Sequence, residues 1–183
     1  MDRSNRAAIL TRLATELRQN GSWCGETHIQ KAVYLLQDLL NVPMDFQFIL
    51  YRHGPFSFDL RDELTSLRAD ELLVLEPQAP PYGPRLAATE LADKREKACS
   101  KTLDAFNKHI AFVAKALGPQ TVVELEQLAT ALYVTKRRNG EHDGTVGSRA
   151  ECLHRLKPHI PKVTAAKAIE EMDRLRTEAE TVK

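Results

Sequence analysis

Aromatic side chains are scarce in this chain: six Phe, four Tyr and a single Trp make up 6% of its 183 residues. That scarcity argues against a single-stranded nucleic-acid platform built on stacked rings. An excess of charge of one sign is missing as well. Lys and Arg number 26 against 25 Asp and Glu, a net of +1. A protein that grips duplex DNA through its phosphates ordinarily carries a clear basic surplus, so any basic surface here has to arise by local clustering. No apolar run reaches the span of a bilayer, and the opening MDRSNRAAIL has neither the apolar stretch nor the small-residue cleavage site of a signal peptide. Cysteine is limited to Cys24, Cys99 and Cys152. Three widely spaced cysteines suit free thiols in a reducing cytoplasm better than a disulfide framework.

Motifs that carry chemistry are also lacking. There is no GxSxG, no Walker loop and no GxGxxG after a strand. Structural zinc wants paired, tightly spaced ligands, and the chain has no CxxC or HxxxH. The groupings Cys152, His154 and His159, and Glu141, His142 and Asp143, read as ordinary surface. His53 has no nucleophile at a recognised spacing, and Cys24 is a lone candidate for an exposed thiol. The expectation is a protein that is not an enzyme and takes no metal or cofactor.

What the sequence does contain is helical periodicity with short interruptions. Residues 4–20 form an apolar stripe through Ile9, Leu10, Leu13 and Leu17, with Ser4 as candidate cap and Gly21 as terminator. A second helix follows in THIQKAVYLLQDLL, with Thr27 as cap and a wide apolar face over Ile29, Ala32, Val33, Leu36, Leu39 and Leu40. His28 and Lys31 fall at exposed positions near its start, the alternative being a small basic spot with Arg52 and His53 if the strand packs beside that helix. FQFILY at 46–51 reads as a strand. Gly54-Pro55 reads as a corner, and 57–69 as a helix capped by Ser57 with Asp59 in its first turn. The runs ELLVLEP and PRLAATE around QAPPYG give a long-tipped β-hairpin. Thr89 then caps a helix from about 90 to 117, closed by Gly118-Pro119. Further helices occupy 121–137 and the segments SRAECLHRLK and TAAKAIEEMDRLRTEAE, with a polar, Gly-rich loop ahead of them.

The order helix, helix, strand, helix, hairpin is that of a winged helix, with 57–69 in the place of the recognition helix. The expected fold is mostly α (α+β). A winged-helix-like part with a small β-hairpin wing occupies 1–89, and a helical C-terminal extension packs on it over 90–183, with a single domain spanning both as the alternative.

Several stretches resemble Panacea-type domains. HIQKAVYLLQ is similar to the start of their characteristic Lys-containing helix. FILYRHGPFSFDLRDEL resembles their strand, Gly-Pro corner and following helix, and RLAATELADK resembles the exit from their wing. ELEQLATALY and RLKPHI…AIEEMDRL resemble the helical tail of related bacterial proteins. The likeness runs over about residues 8–175 and departs from the pattern at Ala88 and Asp93. It implies a toxin–antitoxin or phage-defence setting, with the domain acting as an antitoxin or regulator.

Two binding surfaces follow from the residues themselves. Segment 57–71 carries Asp59, Asp62, Glu63, Asp70 and Glu71 against only Arg61 and Arg68. A net negative helix repels phosphates but suits a protein partner, with Phe56 and Phe58 as apolar anchors beside Asp59, Asp62 and Glu63. The alternative is a DNA-binding transcriptional regulator that uses Arg3, Arg6 and Arg12 on the first helix and Lys136, Arg137 and Arg138 further on.

Overall fold

The computed structural model describes residues 1–79, 83–136 and 143–182. Among them are eight helices and four short strands, which is the mostly α, α+β architecture expected. α1 (Arg3–Gln19) buries the predicted stripe of Ile9, Leu10, Leu13 and Leu17. Its cap is Asp2, whose carboxylate accepts from the Asn5 amide, so Ser4 lies inside the helix and not at its cap. Gly21 has φ +88°, the left-handed conformation that ends a helix at little cost to glycine.

α2 (Glu26–Asp38) is the centre of the molecule, packed by α1, α3, α5, α6 and a strand. Its cap position is Gly25, which offers no side-chain oxygen; Thr27 lies within the first turn. Enclosure on all sides buries more than the predicted face: His28, Gln30, Lys31 and Tyr34 are also inside.

The strand expected over 46–51 is shorter, β1 (Ile49–Tyr51), and it pairs with β2 (Gly54–Phe56), which the sequence reading took for a corner. A two-residue turn at Arg52-His53 makes the hairpin, and Gly54 supplies the positive φ, +80°, on its return. α3 (Phe58–Ala69) starts as expected, with Ser57 Oγ accepting from the Leu60 amide. It buries Leu60, Leu64 and Leu67 and turns Asp59 and Asp62 outward, while Glu63 is largely covered beneath Arg3. β3 (Leu73–Glu76) and β4 (Arg85–Ala88) form the wing-position hairpin; residues 80–82 of the QAPPYG tip lie outside the described residues. β1 pairs with β2, so the strands form two separate two-stranded sheets.

The long helix expected over 90–117 is two helices, α4 (Glu90–Ala98) and α5 (Ser100–Leu117), jointed at Cys99. Both pack on α1, and the break falls at Cys99, whose φ −106° and ψ 23° lie outside the helical range. Thr89 caps α4 as expected. Gly118 closes α5 for a steric reason: a Cβ there would sit 2.4 Å from the Asn20 carbonyl oxygen at the end of α1. α6 (Val122–Lys136), α7 (Val146–Leu156) and α8 (Lys162–Ala179) complete the chain. One hydrophobic cluster runs from Ala7 to Ala179 and joins the two expected parts. No helix among the described residues is long and apolar enough to cross a membrane.

Candidate functional site

The β1–β2 hairpin and the first turn of α3 put three rings together at the surface. Tyr51, Phe56 and Phe58 lie with centroids 5.1 to 5.7 Å apart, and the Phe56–Phe58 and Tyr51–Phe58 pairs meet edge to face, a favourable arrangement for ring quadrupoles. Phe58 is 40% exposed, Tyr51 45% and Ile49 49%, so this is an outward-facing apolar patch. Phe56 is half-buried at its base. The Arg61 guanidinium covers one side, 5.0 Å from the Phe58 centroid.

Beneath the patch the backbone is pinned from four directions. Gln30 and Gln37 stand seven residues apart on α2 and use their amides as substitute strands. Gln30 donates to the Ser57 carbonyl and accepts from the Ser57 amide, both at 2.9 Å. Gln37 does the same to Phe46 at the same distances. Lys31 Nζ donates to the Pro55 carbonyl at 2.9 Å, and Lys157 Nζ donates to the carbonyls of Tyr51 and Arg52. Beside Lys157 sits the buried carboxylate of Glu126, whose charge also acts on Lys31. Its Oε1 lies 3.3 Å from Lys157 Nζ and 3.3 Å from His159 Nε2, and its Oε2 lies 3.6 Å from His53 Nδ1. Oε1 accepts no hydrogen bond of good geometry from the described residues. Gly54 closes the arrangement, because its backbone passes against Thr130 and the Glu126 carbonyl.

Lys31 is 1% exposed. Burial pulls its ammonium down from 10.5 to about 8, an effect opposed by the Glu126 charge and reinforced by Lys157. Between those values the unfolded chain holds a proton that the folded chain has released, so stability from this group rises with pH across the window. The burial cost, roughly 3 kcal/mol from the size of the shift, is present in full below about pH 8 and is relieved towards pH 10.5. The difference in melting stability between wild type and Lys31→Met is therefore expected to change in favour of wild type as pH is raised through this window. Taking the difference is necessary because burial raises Cys24 (to about 12) and Tyr34, and both oppose folding at alkaline pH. A pH-independent difference would show that Lys31 is solvated in solution.

The other residues singled out by sequence fall as follows. His28 and Lys31, expected at exposed positions, are buried because α2 is enclosed. Cys24 is fully buried, so it is not an exposed thiol. Asp59 and Asp62 are exposed beside the rings. Glu63 is engaged by Arg3 Nε at 3.1 Å, and Arg3 also holds Asp70 at 2.7 Å. Of the cations proposed for DNA, Arg12 pairs with Glu96 at 2.8 Å, Lys136 pairs with Asp38, and Arg6 lies over the Phe46 ring at 5.3 Å. Arg137, Arg138, Glu141 and His142 lie outside the described residues. His154 Nδ1 bonds to the Ile160 carbonyl while His159 faces Glu126. No group of three or more His, Cys, Asp or Glu among the described residues is placed to hold a metal ion.

A scan against protein-family models finds no match for this chain, and a search of the curated proteins finds none either.

Sequence reasoning singled out Phe56 and Phe58, the cap at Ser57 and the acids of α3, but not Tyr51, the third ring of the cluster. It missed Gln30, Gln37, Glu126 and Lys157, the side chains that hold the rings in place. Their one visible signal is position: Lys31 and Glu126 are charges set within apolar helical stripes, between Ile29 and Ala32 and between Leu125 and Leu128.

Proposed function

We propose that this protein is a non-enzymatic binding protein that presents the Tyr51–Phe56–Phe58 face to a basic protein partner. The proposed setting is that of an antitoxin or regulatory subunit in a bacterial toxin–antitoxin or phage-defence locus. The observation that carries the reading is a three-ring cluster left open to solvent on a backbone fixed by buried polar contacts. A rigid aromatic anchor loses little conformational freedom on binding, and such anchors dominate interface energetics. Asp59 and Asp62 give the rim its sign and fit cationic groups opposite. The setting comes from the Panacea-type resemblance of the same stretch, FILYRHGPFSFDLRDEL.

The placement of α3 ahead of a wing-like hairpin favours the second reading, a DNA-binding regulator. Its electrostatics are poor, because Arg3, Arg12 and Lys136 already hold carboxylates of the chain itself.

Co-expression with the product of the neighbouring gene, followed by co-purification, tests the first reading. Tyr51→Ala and Phe58→Ala each remove an exposed ring, so both variants should keep the wild-type melting temperature. Each is expected to weaken the complex by about 2 kcal/mol, roughly 30-fold in Kd. Stoichiometric capture that both variants leave unchanged would remove the rings from the interface. A salt-dependent gel shift on the upstream DNA, with no co-purifying protein, would favour the regulator.

A further inference from the structure

The flank of α3 away from its acids borders a different surface. A groove of about 350 Å³ lies between α3, the start of α2 and the β3–β4 hairpin. Leu64, Leu75 and Leu86 supply its apolar wall, and Arg61 and Arg68 line the α3 side. Through Trp23 and His28 it continues into a hollow of about 550 Å³ lined in part by Arg85.

Like Arg6, Arg52, Arg95 and Arg155, guanidinium groups here stand without a paired carboxylate among the described residues, whereas others in the fold are held. Arg3, Arg12, Arg18, Arg149 and Arg174 each hold a carboxylate. Among the described residues, Arg68 and Arg85 have none within ion-pair distance, and Arg61 meets only its neighbour Asp62 at 3.3 Å. Arg85 lies over the Trp23 ring at 5.2 Å, and its buried Nε has no hydrogen-bond partner among the described residues. Glu26 is the carboxylate lining these hollows, so the lining carries three guanidinium groups against one acid in a chain whose net charge is only +1. The first turn of α2 opens into the same place. Gly25 caps it without a side chain, and Thr27 and His28 line the groove, so the positive end of a helix adds to the guanidinium groups. His28 is buried at this junction, and that burial lowers its pKa.

An apolar cavity of a few hundred Å³ with a few convergent charged groups has the form of a small-molecule site. We propose that this groove binds a small organic anion, its head held by Arg61 and Arg68 beside the start of α2 and its apolar body lying along Leu64, Leu75 and Leu86. A phosphate and a carboxylate head both match the planar fork of a guanidinium.

Trp23 is the only tryptophan in the chain, so its emission reports directly on this groove. The full chain is titrated with AMP for a phosphate head, octanoate for a carboxylate head, and inorganic phosphate for a head without a body, with calorimetry alongside. AMP or octanoate is expected to saturate the Trp23 signal at one site, and which of them does so assigns the head. Arg68→Gln, at an exposed position clear of the aromatic face, should weaken that binding roughly 10-fold, as loss of a charged hydrogen bond does, and leave the melting temperature unchanged. Three results would overturn the proposal: no saturation by either organic anion at millimolar concentration, equal binding by the Arg68→Gln variant, or inorganic phosphate binding as tightly as AMP. The groove shares Arg61 with the edge of the aromatic face but not Leu64, Arg68, Leu75 or Leu86, so a complex formed through the aromatic face with this groove empty would sink only the groove.

Discussion

Glu126→Gln is expected to destabilise the protein by about 3–5 kcal/mol, the usual cost of removing one partner from a buried ion pair. The carboxylate is buried on α6, ion-paired with Lys157 at 3.3 Å, and its charge also acts on the buried Lys31. Glutamine keeps the shape and removes the charge, leaving two enclosed ammonium groups without a counter-ion. For a domain whose whole stability is about 5–15 kcal/mol, the melting temperature should fall by roughly 10 °C or more. Denaturant unfolding of the variant measures this directly. Combining Glu126→Gln with Lys31→Met should recover part of the loss, because one of the two orphaned charges is then gone. A cost below about 1 kcal/mol for the single variant would mean that water reaches the carboxylate and screens it, as at surface pairs.

Gly54→Ala should come close to the same cost, about 2–4 kcal/mol, through backbone and steric effects. Gly54 has φ +80°, which an L side chain resists. An added Cβ would stand 3.0 Å from Thr130 Oγ1 and 3.3 Å from the Glu126 carbonyl oxygen. The hairpin would have to lift from α6, carrying Tyr51 and Phe56 with it, so partner binding should fall along with stability. In a Thr130→Ala background the contact with the hydroxyl disappears and part of the cost returns, while the share due to φ remains. If Thr130→Ala rescues nothing, backbone strain alone sets the penalty.

How much of this was legible in the sequence follows from the range of the interactions. Ser57, Asp59 and Thr89 were readable because a helix cap acts within three residues. The apolar stripe of α1 was readable because it repeats every turn. The break at Cys99 was not, since nothing local forbids a helix there; both pieces pack on α1, a contact no local pattern reveals. β2 was missed for a related reason. Gly54-Pro55 has turn composition, and Pro55 offers no amide to a ladder. The structure has no need of that amide: Pro55 uses its carbonyl, which Lys31 satisfies from below. The clamp itself is built from residues 24 to 106 positions apart, and no local pattern announces such a meeting. Only the oddity of a lysine and a glutamate inside apolar stripes pointed to it.

Contacts of that separation also have a consequence in time. The hairpin that carries the rings leaves the ribosome about 100 residues ahead of Lys157, whose ammonium closes on the Tyr51 and Arg52 carbonyls across a loop of 105 to 106 positions. Closing so long a loop is a late event in folding. During synthesis the corner therefore waits for α6 and the segment after α7, and a nascent or truncated chain shows the three rings without the frame that orients them. The finished face thus requires the chain to have been made at least as far as Lys157.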